Sequence, residues 1–169
     1  KDLAIEVVVN QDKKNKIADV VIVAGIEAMN NKGFRTELSQ YVKSNITRSP
    51  IGIPCFGFGI PTPISLMAPL MMRFLNMNKI TRKQDEKLLK AQTPFFVVIS
   101  TKEDTKESWI QAGRLYEHIA LEAEQKNIKT APMAAAIQID KFYQDIQRIL
   151  NISYRPQFFF RMGYTDKAT

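Results

Sequence analysis

The most regular hydrophobic pattern in the chain lies between Ser108 and Asn127 and predicts one long helix. Apolar or small residues recur there at helical spacing and cover more than half of the circumference. They are Trp109, Ala112, Gly113, Tyr116, Ala120 and Ala123, flanked by Ile110, Leu115, Ile119 and Leu121. A helix so apolar needs cover on more than one side, so we expect it in the interior or at a subunit interface. Because glycine inside a helix costs roughly 1 kcal/mol, Gly113 is expected to mark the close approach of another backbone.

Shorter patterns predict further strands and helices on both sides of this helix. Strand patterns occupy Leu3–Val9, Phe95–Ile99 and Gln157–Met162, and the second of these is a continuous apolar run typical of a central strand. Helical patterns occupy Lys13–Met29, a short stretch after Phe34, Thr81–Ala91 and Asp140–Leu150. Thr81 and Gln84 have capping-box spacing, while Asp104 and Thr105 are candidate caps of the long helix.

The stretch Ser49–Met72 carries no charge and contains five prolines. A membrane helix is not expected, because so many prolines would leave backbone groups unpaired in lipid. Thr62-Pro63 predicts the start of a helix, which Pro69 must either kink or restart. Methionines cluster at the end of this stretch and just beyond it, at Met67, Met71, Met72 and Met77. The pattern leaves two interpretations open: plain core packing, or an active-site flap over a flat ligand.

Composition narrows the possible partners. The 169 residues suit one domain, 1–169, and the first residue is Lys1 rather than Met, as in a piece of a longer protein. A net charge of +7 favours anionic partners, but basic and aromatic residues are not arrayed as in proteins that bind nucleic acid, so none is predicted. The only cysteine, Cys55, fits a reducing, cytoplasmic location, and one Cys with one His predicts no metal site.

The order of motifs around the long helix resembles a known family. The helix carries W-x-x-A-G-x-x-x-E from Trp109, a T-x-P loop follows within Ile128–Ala135, and P-x-φ-φ-φ-R-φ-G-Y (φ apolar) spans Pro156–Tyr164. This series resembles the C-terminal half of the flavin (FMN)-dependent nitroreductase family. The resemblance covers residues 94–164 well. It is looser over residues 1–93, where Phe34–Leu38 and the turn Gly52–Pro54 are similar to a divergent subgroup of that family.

The resemblance implies an α+β fold with α/β/α layers, in which helices flank a mainly antiparallel or mixed sheet. It also implies a homodimer with FMN at the interface. In this family NAD(P)H reduces the flavin, which then reduces nitroaromatics, quinones or similar flat acceptors. The loop after the long helix lies against the flavin ring there. That assigns Pro132, Met133, Ala134 and Ala135 as cofactor-binding residues, with their backbone N–H groups near flavin N5.

The sequence departs from the family in two ways. Many members have an acidic residue and a glycine where Ala134 and Ala135 stand, so this chain keeps the backbone donors but loses a carboxylate. The resemblance therefore implies a different substrate or altered flavin tuning. The N-terminal R-x-S-R-type segment that grips the flavin phosphate and the N-x-Q-P-type segment at the ring are both absent from the sequence. Arg161 and Lys167 are only weak substitutes.

No nucleophile or acid–base set stands out, and no catalytic side chain is assigned. A flavin enzyme tolerates this, because the cofactor carries the redox chemistry. His118 is interpreted as a surface residue, Cys55 as an inert thiol, and Glu117 as part of a structural ion pair or subunit contact. Two alternative functions stay open: a flavin-binding or storage protein with a lidded site and little turnover, and a flavin-free interaction domain.

Overall fold

The computed structural model describes residues 2–74 and 78–164, which form two sheets and the helices around them. The strands are β1 (Leu3–Val8), β2 (Val42–Lys43), β3 (Ile53–Pro54), β4 (Phe95–Thr101), β5 (Lys129–Pro132) and β6 (Arg155–Gly163). The helices are α1 (Gln11–Asn30), α2 (Lys32–Tyr41), α3 (Thr62–Ser65), α4 (Ala68–Phe74), α5 (Asn78–Glu86), α6 (Lys106–Gln125), α7 (Ala135–Gln138) and α8 (Asp140–Leu150). A 3-10 turn spans Cys55–Phe58 and a π-helical segment spans Lys87–Gln92.

The chain divides into two compact units. The first comprises the described residues of Lys1–Gly25 and Gln84–Thr169, and the second comprises those of Ile26–Lys83. The first unit contains a four-stranded sheet in the order β1-β4-β6-β5, in which every neighbouring pair is antiparallel. β4 lies inside this sheet, as its apolar run predicts, and all of its residues from Phe96 to Thr101 are buried.

Helix α6 covers one face of the sheet. Val97, Ile99 and Phe160 form a buried cluster there with Ala112 of α6. The ring of Tyr116 stacks on Phe158 with 4.3 Å between centroids, which fixes the helix against β6.

The opposite face of the sheet is covered by other helices of the first unit. Phe96 and Phe159 lie together on this face, with 5.3 Å between ring centroids, and α7 and α8 pack against β6. In α1, the buried Lys14 donates from Nζ to the carbonyls of Thr93 (3.1 Å) and Pro94 (3.0 Å), so its ammonium group is hydrogen-bonded despite its burial. Helices therefore lie on both faces of an antiparallel sheet, and the predicted α/β/α fold is confirmed.

The long helix differs from its prediction in burial. Only Ala112 and Ala123 of α6 are buried, whereas Trp109, Ile110 and Leu121 are 52%, 63% and 57% exposed. Within the chain, the expectation of an interior helix is therefore wrong. A Cβ built on Gly113 would meet nothing within 4 Å, so no described backbone approaches it closely. The reason is that α6 packs against the sheet along one side only. Leu115, Tyr116 and Ile119 lie on that side and are partly buried, whereas Trp109, Ile110 and Leu121 lie outside the contact.

The second unit is built around a small apolar cluster. Its buried members are Val42, Cys55, Ala68 and Met72. The short strands β2 and β3 pair in parallel. Gly52, just before β3, has φ +121°, and a Cβ there would lie 2.5 Å from the carbonyl oxygen of Tyr41. Only glycine fits that close approach without strain.

Prolines shape the helices of this unit largely as predicted. Pro63 lies in the first turn of α3, and Pro69 lies at the start of a separate helix, α4, so the interpretation of a restart is confirmed. The capping-box prediction at Thr81 is wrong, because α5 begins at Asn78 and Thr81 lies inside it. Met77 of the predicted methionine cluster lies outside the described residues. None of the described helices is long and apolar enough to cross a membrane.

Candidate functional site

The four residues assigned to the cofactor occupy one turn at the end of β5. The sequence predicts a loop here, but Lys129–Pro132 forms a strand that pairs antiparallel with β6, so this part of the prediction is wrong. Pro132 pairs with Phe160 as the last residue of β5, which lies at an edge of the described sheet. An edge strand tolerates proline because no ladder hydrogen bond is lost on its outer side. The turn Pro132–Ala135 then leads directly into α7.

The backbone of this turn is held on both sides. The N–H of Met133 donates to the carbonyl of Phe159 at 2.9 Å. The carbonyl of Ala134 accepts hydrogen bonds from the N–H groups of Ile137 (2.9 Å) and Gln138 (3.0 Å). Register with β6 thus fixes the first half of the turn, and the first turn of α7 fixes the second half.

Two amide groups in the turn remain free to donate. Proline has no N–H, and the N–H of Met133 is already engaged. The N–H groups of Ala134 and Ala135 donate to no other described residue. Pro132 and Ala134 are exposed, while Met133 and Ala135 are half-buried. The turn therefore presents two backbone donors beside small side chains, rather than a donor at each of the four predicted residues.

A tyrosine of α6 supports the strand that leads to this turn. The hydroxyl of Tyr116 lies 3.1 Å from Oγ1 of Thr130, and either oxygen can be the donor. The same ring is packed between Phe158 and Phe160, at 4.3 and 5.1 Å between centroids. This contact ties α6, β5 and β6 together two residues before Pro132, where the turn begins.

Arg161, a weak candidate for phosphate contacts, is half-buried in β6 opposite Ala131 of β5. Burial lowers the pKa of its guanidinium, and the nearby carboxylate of Asp85 partly offsets that effect. Burial also raises the pKa of Asp85, although the charge of Arg161 acts in the opposite direction. Arg161 is therefore electrostatically coupled to a carboxylate within the protein. Lys167, the other candidate, lies outside the described residues.

The other residues considered from the sequence differ in their exposure. His118 is exposed on α6, as predicted. Glu117 is also exposed and forms no ion pair within the described part of the chain, so the predicted structural ion pair is not present there. Cys55 is fully buried, and burial raises the pKa of its thiol, which agrees with an inert residue.

Over residues 2–74 and 78–164, no three His, Cys, Asp or Glu side chains form a group suited to a metal ion.

The first unit also contains two adjoining clefts away from the turn. One, of about 230 Å³, is lined by Ala4, Glu6, Ser100 and residues 151–154. The other, of about 490 Å³, lies around Gln144, Gln147 and Arg148 and shares residues 151–153 with it. The sequence did not predict these clefts. Glu6 is the polar residue of an alternating strand, and such a residue is ordinarily expected to face solvent. The one available signal was a serine, Ser100, at the end of an otherwise apolar buried run.

Comparison with known proteins defines the fold. No protein-family model matches the sequence, and no curated protein sequence matches it significantly. Among solved structures, the chain is similar to the FMN-dependent nitroreductase NfnB from Mycobacterium smegmatis, determined in complex with NADPH. The TM-score is 0.56 at 12% identity, over 98% of this chain and 69% of that one. It is also similar to the FMN and NADPH-dependent nitroreductase NfnB from Sphingopyxis sp. strain HMH, with TM-score 0.57, 13% identity and coverages of 98% and 70%.

These likenesses show that the chain has the nitroreductase fold. The prediction drawn from the motifs around α6 and β6 is confirmed at that level.

Proposed function

We propose that this chain is an FMN-dependent oxidoreductase that uses NAD(P)H, with the flavin ring bound against Pro132–Ala135. The observation that carries the proposal is the pair of free N–H groups at Ala134 and Ala135, in an exposed turn held by β6 and α7. Backbone N–H groups suit the ring nitrogens and carbonyl oxygens of a flavin, which are hydrogen-bond acceptors. Support also comes from the fold, which is shared with FMN-dependent nitroreductases.

The turn suits a flat ligand in its side chains as well as in its amides. Ala134 and Ala135 carry only methyl groups, so a planar ring can lie close to the backbone. Pro132 restricts the backbone at the entry to the turn, and the Met133 N–H is held by Phe159. FMN, when bound, would supply hydride chemistry between NAD(P)H and a flat acceptor such as a nitroaromatic or a quinone. The residues of the turn would hold and orient the ring without moving protons, since none of their side chains titrates.

A homodimer is part of the proposal. The outward side of α6 exposes Trp109, Ile110 and Leu121, and large apolar side chains exposed along one surface are typical of interaction sites. We expect a second copy to cover this face. Sedimentation velocity tests it: Ile110→Lys should shift the protein toward monomer, while Gln111→Lys, with the same new side chain on the polar stripe, should not. A monomer at all concentrations would remove the dimer from the proposal.

The flavin proposal is tested by reconstitution. The purified chain is titrated with FMN, and binding is followed by quenching of flavin fluorescence. Anaerobic mixing with NADPH should then bleach the visible flavin absorbance quickly, and menadione or nitrobenzoate should restore it. A protein that cannot be reconstituted with FMN would contradict the proposal and favour a flavin-free interaction domain. If flavin binds but NADPH does not bleach it, the result would favour the alternative of a flavin-storage protein with little turnover. The buried Cys55 is consistent with the cytoplasmic location that we propose for this activity.

A further inference from the structure

The smaller cleft of the first unit lies between β1 and the segment that joins α8 to β6. Across the β1–β4 pair, Ala4 is opposite Ser100 and Glu6 is opposite Val98. Ala4, Glu6 and Ser100 therefore share one face of the sheet, the face turned away from α6. Residues 151–154 form the other wall of this cleft of about 230 Å³.

The wall opposite the sheet is fixed by hydrogen bonds. Asn151 adopts the left-handed conformation, with φ 57° and ψ 48°, and donates its N–H to the carbonyl of Gln147. Ile152 donates to the same carbonyl at 3.0 Å. The side chain of Gln147 in turn donates from Nε2 to the carbonyl of Tyr154 at 2.9 Å. These bonds hold the segment against the C-terminal end of α8, so this wall of the cleft has a defined position.

Ser100 brings an unsatisfied polar atom to the cleft. Its side chain is fully buried, and its Oγ forms no hydrogen bond with any described residue. Buried hydroxyl groups are nearly always hydrogen-bonded, because burial without a partner is unfavourable. The partner of Ser100 Oγ is therefore expected to be a water molecule or a polar group of a ligand in the cleft that it lines.

The electrostatics of the cleft favour a cation. Glu6 is half-buried, and its carboxylate forms no ion pair or hydrogen bond within the part of the chain described. The C-terminal end of α8, which borders the cleft, adds the negative end of the helix dipole. The cation in the adjoining cleft, Arg148, is hydrogen-bonded to Asp145 at 2.7 Å. Among the described residues that line the smaller cleft, Glu6 is the only charged one. The neighbouring Arg155 lies over the ring of Tyr143 and 3.9 Å from Asp104.

We propose that this cleft binds a small organic cation, a primary alkylammonium ion. Glu6 and Ser100 are diagonal neighbours across β1 and β4, and such positions lie roughly 7–8 Å apart. With the reach of the glutamate side chain, one ammonium group can donate to both the carboxylate and Oγ. Ala4 and Ile152 provide apolar contacts for the alkyl chain. The site is separate from the Pro132–Ala135 turn, and its test does not require FMN.

The test is a titration of the full chain with butylammonium chloride, followed by amide chemical shifts in ¹H–¹⁵N spectra. Shifts should appear at Glu6, Ser100 and Ser153. Butylammonium should bind at least about tenfold more tightly than the isosteres 1-butanol and butyrate. The absence of shifts, or equal binding of the neutral isostere, would overturn the proposal.

Variants separate the site from non-specific charge effects. Glu6→Gln should weaken binding by about tenfold or more, and Ser100→Ala by about three- to tenfold. Glu122→Gln, which removes an exposed carboxylate from α6, should leave binding unchanged. If Glu6→Gln fails to fold, Ala4→Leu, which fills the cleft but retains the carboxylate, should abolish binding. Unchanged affinity in the folded cleft variants would refute the assignment.

Discussion

The hydroxyl of Tyr116 in α6 and Oγ1 of Thr130 in β5 lie 3.1 Å apart. This hydrogen bond joins the long helix to the short strand that ends at the Pro132–Ala135 turn. The Tyr116 ring meanwhile stacks on Phe158 of β6. One side chain thus sets the position of β5 through a polar contact and the position of α6 through an apolar one.

Tyr116→Phe removes the polar contact and keeps the stacked ring. We expect the free energy of unfolding to fall by about 1 kcal/mol, the usual net value of one hydrogen bond. Thr130→Val should cost a similar amount. The double variant should cost less than the sum, because both changes remove the same bond. Urea unfolding followed by the fluorescence of Trp109 measures all three, and strictly additive costs would show that the two residues are not coupled.

Ala134→Pro tests the donor role of the turn. Ala134 has φ −76°, which proline can adopt, so the main loss is the N–H group. If that group binds the flavin, FMN affinity should fall by about tenfold, with the circular dichroism spectrum unchanged. Ala134→Ser is the matched control, because it keeps the N–H and a small side chain. Equal FMN affinity in the proline and serine variants would remove Ala134 from the cofactor site.

Asp104 should make stability depend on pH in the acid range. Its carboxylate accepts hydrogen bonds from Trp109 Nε1 (2.6 Å) and Gln157 Nε2 (3.0 Å), which lower its pKa below the usual 3.8. Since the pKa is lower in the folded state, the stabilisation is complete above the unfolded-state pKa. It is lost as the pH falls through the folded-state pKa.

Asp104→Asn should therefore flatten the decline in melting temperature below about pH 4, where the unfolded carboxyl begins to protonate. Glu103→Gln, at the exposed neighbouring position, serves as the control and should keep the wild-type profile. A steep acid decline that persists unchanged in Asp104→Asn would assign it to other carboxyl groups.

Gly113→Ala should stabilise the chain. A Cβ at this position meets nothing within 4 Å, and alanine is about 1 kcal/mol better than glycine inside a helix. We expect an increase of about that size in the free energy of unfolding at low protein concentration. A decrease that grows with protein concentration would instead show that a second copy packs closely against Gly113.

The Cys55 thiol should report on the opening of the second unit. It is fully buried, its Sγ contacts the carbonyl of Ser65 at 3.9 Å, and burial raises its pKa, so thiolate is scarce in the folded state. Labelling with a chromogenic disulfide should be slow in buffer and should accelerate as urea approaches the unfolding midpoint. Because Cys55 is the only cysteine, the labelling signal contains no contribution from other thiols. Rapid stoichiometric labelling of the native protein would contradict this burial.

Much of the fold could be predicted from the sequence because its central elements have strong patterns. The sequence correctly predicted β4 and β6 from their apolar runs and α8 from its amphipathic pattern. It also predicted Thr105 as a cap of α6, and Thr105 Oγ1 accepts a hydrogen bond from the N–H of Ser108. β5 was missed, because Lys129–Pro132 has no alternation and ends in proline; its pairing with β6 is a tertiary effect. For α6 the sequence left two positions open, the interior or a subunit interface, because helical periodicity alone does not distinguish them. The exposure of Trp109, Ile110 and Leu121 excludes the interior within the chain.

The candidate site was predictable only in part. Pro132–Ala135 are contiguous, so any correct assignment would bring them together. Which of their amides stay free depends on the register of β5 against β6, which decides that Met133 is paired and Ala134 is not. The cleft at Glu6 and Ser100 depends on pairing between residues almost a hundred positions apart, which no local pattern encodes.

The strand order has a practical consequence for handling this protein. β1 is an outermost strand of the described sheet; Ile5 and Val7 within it are 45% and 56% exposed, and Val9 just after it is 68% exposed. Its free edge can template strand-to-strand aggregation, and natural proteins oppose this with charges placed in such strands. Glu6 is the only charge between Leu3 and Val9, so its neutralisation should promote precipitation. Samples of Glu6→Gln should therefore be kept at low concentration, and their light scattering should be measured during each experiment.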